Sequence, residues 1–177
     1  MATTHTPATH IVVMGVAGSG KTTLAELLSD ELGWPSAEAD EFHPQSNIDK
    51  MTAGTPLTDE DRWPWLRKIR DWMSEHEAEG TIVTCSALKR SYRDLLREAH
   101  GDVVFLHVSG SEVMLSDRIS HRSGHFMPSS LLPSQLHTLE PLGDDEPGAE
   151  IVNDRSTEDL LDAALAVLQT RSAPSPA

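Results

Sequence analysis

The sequence has a single cysteine, Cys85, among its 177 residues, so no intramolecular disulfide can form. Its position in the apolar run "TIVTCS" reads as a buried strand residue rather than a reactive thiol. Bases are scarce too: 14 Lys and Arg stand against 28 Asp and Glu, a formal net charge of -14. That balance repels the phosphate backbone of a nucleic acid and an anionic membrane surface, and neither is expected as a partner. An anionic small molecule must therefore be drawn in by a local cluster of bases. Long hydrophobic runs are absent, none approaching the roughly 18 apolar residues of a membrane span. The opening "MATTHTPATH" has neither the basic stretch nor the apolar segment of a signal peptide, so the cytoplasm is the expected compartment. With 38% hydrophobic residues the chain can bury one core, and a single domain is expected.

What is present is a regular alternation. "HIVVM" (His10 to Met14), "TIVTC" (Thr81 to Cys85), "DVVFLHV" (Asp102 to Val108) and "AEIVN" (Ala149 to Asn153) read as strands, with a weaker one in "SAEA" ahead of Asp40. Leu24, Leu27, Leu28 and Leu32 recur at helical spacing and Gly33 closes that helix. Leu66, Ile69, Trp72 and Met73 mark a second, ending near Gly80, in which the tryptophans, with Trp63 and Trp65, read as core or interface aromatics. Leu160, Leu161, Ala164, Leu165 and Leu168 give one apolar face to a last helix, capped by Ser156 or Thr157. Apolar strands alternating with helices predict an α/β fold whose parallel sheet is covered on both faces. The domain is expected over residues 10–171, between tails at 1–9 and 172–177, and "PLGDDEPGAE" reads as an acidic connecting loop.

Gly15 to Thr22 matches G-x-x-x-x-G-K-[ST] residue for residue, directly after a strand and opening a helix. Glycines at 15, 18 and 20 let the backbone curl so that the N–H groups around Ala17, Ser19 and the following residues face phosphate oxygens. The helix beginning at Lys21, Thr22 and Thr23 adds its positive end. Lys21 is placed to span the β and γ phosphates of ATP, and the Thr22 hydroxyl to ligate Mg²⁺. A GTPase is not supported, because N-K-x-D is missing and D-x-x-G occurs only as "DELG" and "DEPG", neither after a suitable strand. A motor ATPase would end a middle strand in acidic residues, whereas "TIVTC" is followed by Ser86 and "DVVFLHV" by Ser109. A small-molecule or nucleotide kinase of the short P-loop type remains.

The block "ADEFHPQSNIDKMTAGTPLTDEDRWPWL" narrows this further, with D-x-x-H-P after the second strand, then N, K-M, G-x-P-L, D-x-D-R and P-W-L. Together with "CSALKRSYRDLLR" and "RISHRSGHFMPSSLLPSQLHTLE", it resembles the gluconokinase family from the P-loop to about Glu140. The resemblance implies the P-loop kinase fold of adenylate and shikimate kinases, three layers around a five-stranded parallel sheet, with a short lid near residues 122–130. It also implies transfer of the ATP γ-phosphate to the 6-hydroxyl of D-gluconate, the alternatives being a kinase for another small sugar acid or polyol or a non-catalytic nucleotide-binding regulatory module, and a homodimer.

Physical chemistry gives these residues tasks. Asp40, at the carboxyl edge of the sheet, can hold the accepting hydroxyl and take its proton, or act only as a helix cap. His43 can bond a polyol hydroxyl or brace its loop against Pro44. Arg62 corresponds by position to the arginine with which shikimate kinases hold their substrate's carboxylate, the alternative being an i,i+3 pair with Asp59. Lys89 and Arg90, with backbone groups of Ser86 and Ala87, follow the third strand at the same edge and are further candidates for substrate contact. Arg93 and Arg97, one helical turn apart, read as solvated surface. By analogy with adenylate kinases, Arg118 takes the adenine face and Arg122 the transferring phosphate. The lid "SGHFM" adds no further base. His121 and His125 also stand four apart, but no cysteine or carboxylate at ligand spacing joins them, so a zinc site is not supported.

Overall fold

The computed structural model describes residues 8–76, 78–120 and 132–172. Arg122, the pair His121 and His125, and the expected lid lie outside them, as do residues 1–7 and 173–177 of the expected tails. Five parallel strands form one sheet in the order β2-β3-β1-β4-β5: β1 Thr9–Met14, β2 Ser36–Glu38, β3 Thr81–Thr84, β4 Asp102–Ser109 and β5 Gly148–Val152. Between the strands run α1 Lys21–Leu32, α2 Gln45–Thr52, α3 Asp59–Glu75, α4 Arg90–Leu96, α5 Glu112–Ser120 and α6 Leu132–Thr138; α7 Thr157–Ser172 follows β5.

Strand β1 sits between β3 and β4, and its side chains alternate between two apolar layers. Val12 and Met14 pack with Trp65, Leu66, Ile69 and Met73 of α3, while Ile11 and Val13 pack with Leu24, Ala25 and Leu28 of α1 and with Leu160 and Ala164 of α7. Both faces are therefore covered, as a sheet built of parallel crossovers requires. The strand begins at Thr9, and the Ala8 carbonyl accepts the Asp102 N–H at 2.9 Å. Cys85 directly follows β3 and is buried, and loss of water pushes its thiol up to about 12.

Helix boundaries follow local chemistry. Gly33, with φ 70°, returns its N–H to the Ser29 carbonyl at 2.8 Å and ends α1 where expected. Helix α3 opens on a reciprocal cap, in which the Thr58 hydroxyl accepts the Asp61 N–H and the Asp61 carboxylate accepts the Thr58 N–H. It ends at Glu75, not near Gly80. Gly80 answers a different demand, because a Cβ there would lie 2.4 Å from the ring of Trp34.

Candidate active site

The turn between β1 and α1 is shaped for an anion. Gly15, Gly18 and Gly20 take φ values of 145°, 80° and 106°, conformations that L side chains rarely adopt. A Cβ on Gly15 would lie 2.4 Å from the Val108 carbonyl oxygen, and one on Gly20 would lie 2.5 Å from Asn153 Nδ2. The turn is braced from three sides: Ala17 donates its N–H to Gln135 Oε1 at 2.8 Å, while the Ser19 carbonyl accepts Asn153 Nδ2 at 2.9 Å and Arg118 Nη1 at 3.3 Å. Arg118 Nη1 also reaches the Gly18 carbonyl at 3.4 Å, which puts this arginine against the loop. Lys21 Nζ folds back over the loop onto the Gly15 and Val16 carbonyls, each at 3.0 Å. The Ser19 hydroxyl is buried without a hydrogen-bond partner among the described residues. An ammonium drawn over a cradle of glycines, an orphaned buried hydroxyl, and two threonines on the first turn of α1 fit a nucleoside triphosphate with its divalent cation.

Across the sheet edge, β2 leads into a 3₁₀ turn over Ala39–Phe42. Its position is fixed by Trp65 Nε1, which donates to the Ala39 carbonyl at 2.7 Å. Asp40 is the second residue of that turn and exposed; the cap position belongs to Glu38. His43 stacks on Trp65 with ring centroids 4.1 Å apart and planes at 12°. Its Nδ1 lies 3.2 Å from Nδ2 of the buried Asn47, which also donates to the Asp61 carbonyl at 2.9 Å. Burial, with the positive charge of Arg62 behind it, lowers His43 to about 4, so the ring is neutral at physiological pH. The buried Cys85 thiol feels the charges of Lys21, Asp40 and Arg62 together, which groups those three side chains around one strand end.

The first turn of α3 and the start of α4 build a second cluster. Tyr92 Oη donates to Asp59 Oδ1 at 2.5 Å and accepts from Arg62 Nη1 at 3.2 Å. Arg62 Nη1 also reaches the Leu57 carbonyl at 2.6 Å. Lys89 Nζ lies 3.2 Å from Asp59, and the two cations flank the Tyr92 ring at 5.4 Å and 5.6 Å from its centroid. The Tyr92 hydrogen bond comes first among the causes that hold the Asp59 carboxyl below its usual range, and Lys89 adds to it. Asp59 thus pairs with Tyr92 and Lys89, and the Nε and Nη2 edge of Arg62 has no hydrogen bond among the described residues. Two cations against one carboxylate leave a local positive charge in an acidic protein.

Ser86 and Ala87 lie directly beside the phosphate loop, with the Ser86 carbonyl accepting the Gly15 N–H at 3.3 Å. Arg90 is turned toward the acidic loop, donating to both carboxylate oxygens of Asp145. Arg93 is a correction: its side chain is not solvated but fully buried, paired with Glu146. Tyr92, Gln135 and Asn153 carried no expectation. Tyr92 had a readable signal, since the chain's one tyrosine stands three residues after Lys89 in "LKRSY" and shares its side of α4. Gln135 and Asn153 meet the phosphate loop only through tertiary packing.

The parallel sheet, the glycine cradle with its lysine, and an acceptor side rich in polar groups define a P-loop kinase of small molecules. A shikimate kinase family profile matches residues 17–128. The chain is 49% identical over 154 residues to a gluconokinase of Gluconobacter oxydans (strain 621H), covering 86% of each. Among solved structures, a gluconokinase from Sinorhizobium meliloti 1021 superposes with TM-score 0.83 at 47% identity, covering 92% of each chain. An unliganded sugar kinase from Janibacter sp. HTCC2649 superposes with TM-score 0.87 at 52% identity, over 92% of this chain and 95% of that one. The chain belongs to the gluconokinase family, within the wider group of shikimate-kinase-like P-loop proteins.

Proposed function

We propose that this protein transfers the γ-phosphate of ATP to the 6-hydroxyl of D-gluconate, giving 6-phospho-D-gluconate and ADP. Family membership supports the reaction. The observation that carries the acceptor's identity is the Arg62 cluster, where a guanidinium edge lies open in a locally positive site on the same strand end as Asp40. A planar Nε and Nη2 edge suits a carboxylate held by two parallel hydrogen bonds.

The acceptor lies between this anchor and the phosphate loop. Neutral His43 and the backbone of Ser86 and Ala87 meet its hydroxyls, and Lys89 adds charge beside the carboxylate. Asp40 orients the terminal hydroxyl toward the γ-phosphate and accepts its proton as the new P–O bond forms and the bond to the ADP oxygen breaks. Lys21 follows the charge as it moves onto the transferring group, and the loop's N–H groups hold the oxygens that remain on ADP. The Thr22 hydroxyl would hold Mg²⁺, which when bound would supply charge neutralisation for the triphosphate. Arg118 lies on the nucleotide side of the loop, and Arg122, outside the described residues, is assigned to the transferring phosphate. The cytoplasm is the proposed compartment for this ATP-dependent reaction. A coupled ADP-release assay over a panel of sugar acids tests the assignment: gluconate is expected to give the highest kcat/KM, and a different acid in that place would overturn it.

A further inference from the structure

Arg93 is a fully buried charge, and every nitrogen of its guanidinium has a partner. Nε lies 2.6 Å from Glu146 Oε2 and Nη2 lies 3.0 Å from Oε1. Nη1 donates to the carbonyls of Ala87 at 2.9 Å and Leu88 at 3.3 Å, and Nη2 reaches the Pro141 carbonyl at 3.4 Å. Burial alone would raise the Glu146 carboxyl; the hydrogen bonds from Arg93 and from the Gly143 N–H outweigh it and leave this group lowered. Glu140 grips the same loop from outside: its N–H donates to the Leu88 carbonyl at 2.7 Å and its carboxylate accepts the Arg90 N–H at 2.8 Å.

The gripped segment contains Ala87, whose φ of 43° is the only left-handed value at a non-glycine among the described residues. An L residue pays in steric strain for that conformation and keeps it only where its surroundings impose it. The imposed turn directs the Ala87 and Leu88 carbonyls inward, where buried acceptors need donors. An apolar pair in place of Arg93 and Glu146 would take the Arg93 donor from the Ala87 carbonyl and leave the Leu88 carbonyl with the Glu140 N–H alone. Through Ser86 the segment holds Gly15, and through Lys89 it holds Asp59, so its shape is shared with both halves of the site.

We infer that the buried Arg93 and Glu146 pair is a positioning device that holds residues 86–89 in their strained shape and so sets affinity for the phosphate acceptor. The inference rests on the gluconate reading only for the acceptor's name. Nucleotide affinity depends on it less, because Asn153, Arg118 and Gln135 brace the phosphate loop independently.

Three variants test it: Arg93→Lys, Glu146→Gln and the double variant Arg93→Lys with Ala87→Gly. Each single variant is expected to raise the KM for gluconate by about 10-fold or more while the KM for ATP stays within about 3-fold of wild type, a split that lost stability alone does not produce. Glycine adopts positive φ without a Cβ penalty, so the double variant should recover about 3-fold or more of the lost affinity. Equal rises in both KM values, a fall in thermal midpoint with both KM values unchanged, or a double variant without rescue would overturn the inference. Failure of both single variants to fold would also overturn it, because the pair would then decide folding rather than loop shape. If wild type prefers a different sugar acid, the gluconate reading fails and the same split is read with that acid.

Discussion

Lys21 already spans the phosphate loop, tied to the Gly15 and Val16 carbonyls. Lys21→Ala removes the cation proposed to follow charge onto the γ-phosphate, and turnover should fall by at least about 10³-fold. The side chain is half-exposed, so circular dichroism and the thermal midpoint should stay near wild type; a folded variant with normal turnover would remove the loop from the mechanism. His43 gives a pH prediction. Its ring titrates near 4 in the fold against 6.5 when unperturbed, so between those values the unfolded chain binds more protons than the native one. The stability it contributes is complete above about pH 6.5 and is lost as pH falls toward 4. The thermal midpoint of wild type should fall more steeply across that window than that of His43→Gln, and parallel curves would contradict a buried neutral ring. His43 was legible as a site candidate because D-x-x-H-P is contiguous; its stacking on Trp65 was not. Arg93 was misread for a related reason. Two arginines a turn apart on a short helix resemble surface, and the glutamate that buries one of them lies 53 residues away.

At the scale of elements, α3 carries both Arg62, the proposed anchor for the acceptor, and its own start signal. Thr58 and Asp61 close the cap, and Asp59 and Arg62 follow within the first turns. Thr58→Ala should cost about 1 kcal/mol, a fall of about 2–4 °C in thermal midpoint for a chain of this size. Because the frayed turn also carries Arg62, the KM for gluconate should rise with it, while an unchanged KM would separate the cap from the site. The phosphate loop was readable because its constraints lie within consecutive residues, and the strands because both faces of the sheet demand apolar side chains. The end of α3 was not. Gly80 looks like a stop but is there to admit Trp34, a packing demand visible only in three dimensions. Helix α6 was equally silent, since the partner of Gln135 on the phosphate loop is 118 residues away.

Across the whole molecule, a net charge of -14 opposes both anionic substrates, so binding depends on where the few bases are placed. The fold collects Lys21, Arg62 and Lys89 at one end of the sheet, with Asp40 exposed among them. Asp40→Asn should lower kcat by at least about 10²-fold with little change in the KM for ATP, as expected for a group that orients and deprotonates the acceptor. The claim that a carboxylate anchored by Arg62 defines the substrate is tested most directly by comparing gluconate with the uncharged alditol of the same chain length, in wild type and in Arg62→Ala. A bidentate charge-assisted contact is worth roughly 1.5–3 kcal/mol and is made away from the reacting hydroxyl, so the variant should raise the KM for gluconate by about 10- to 150-fold at nearly constant kcat. Its preference for gluconate over the alditol should collapse. A preference that survives with KM unchanged would contradict the account.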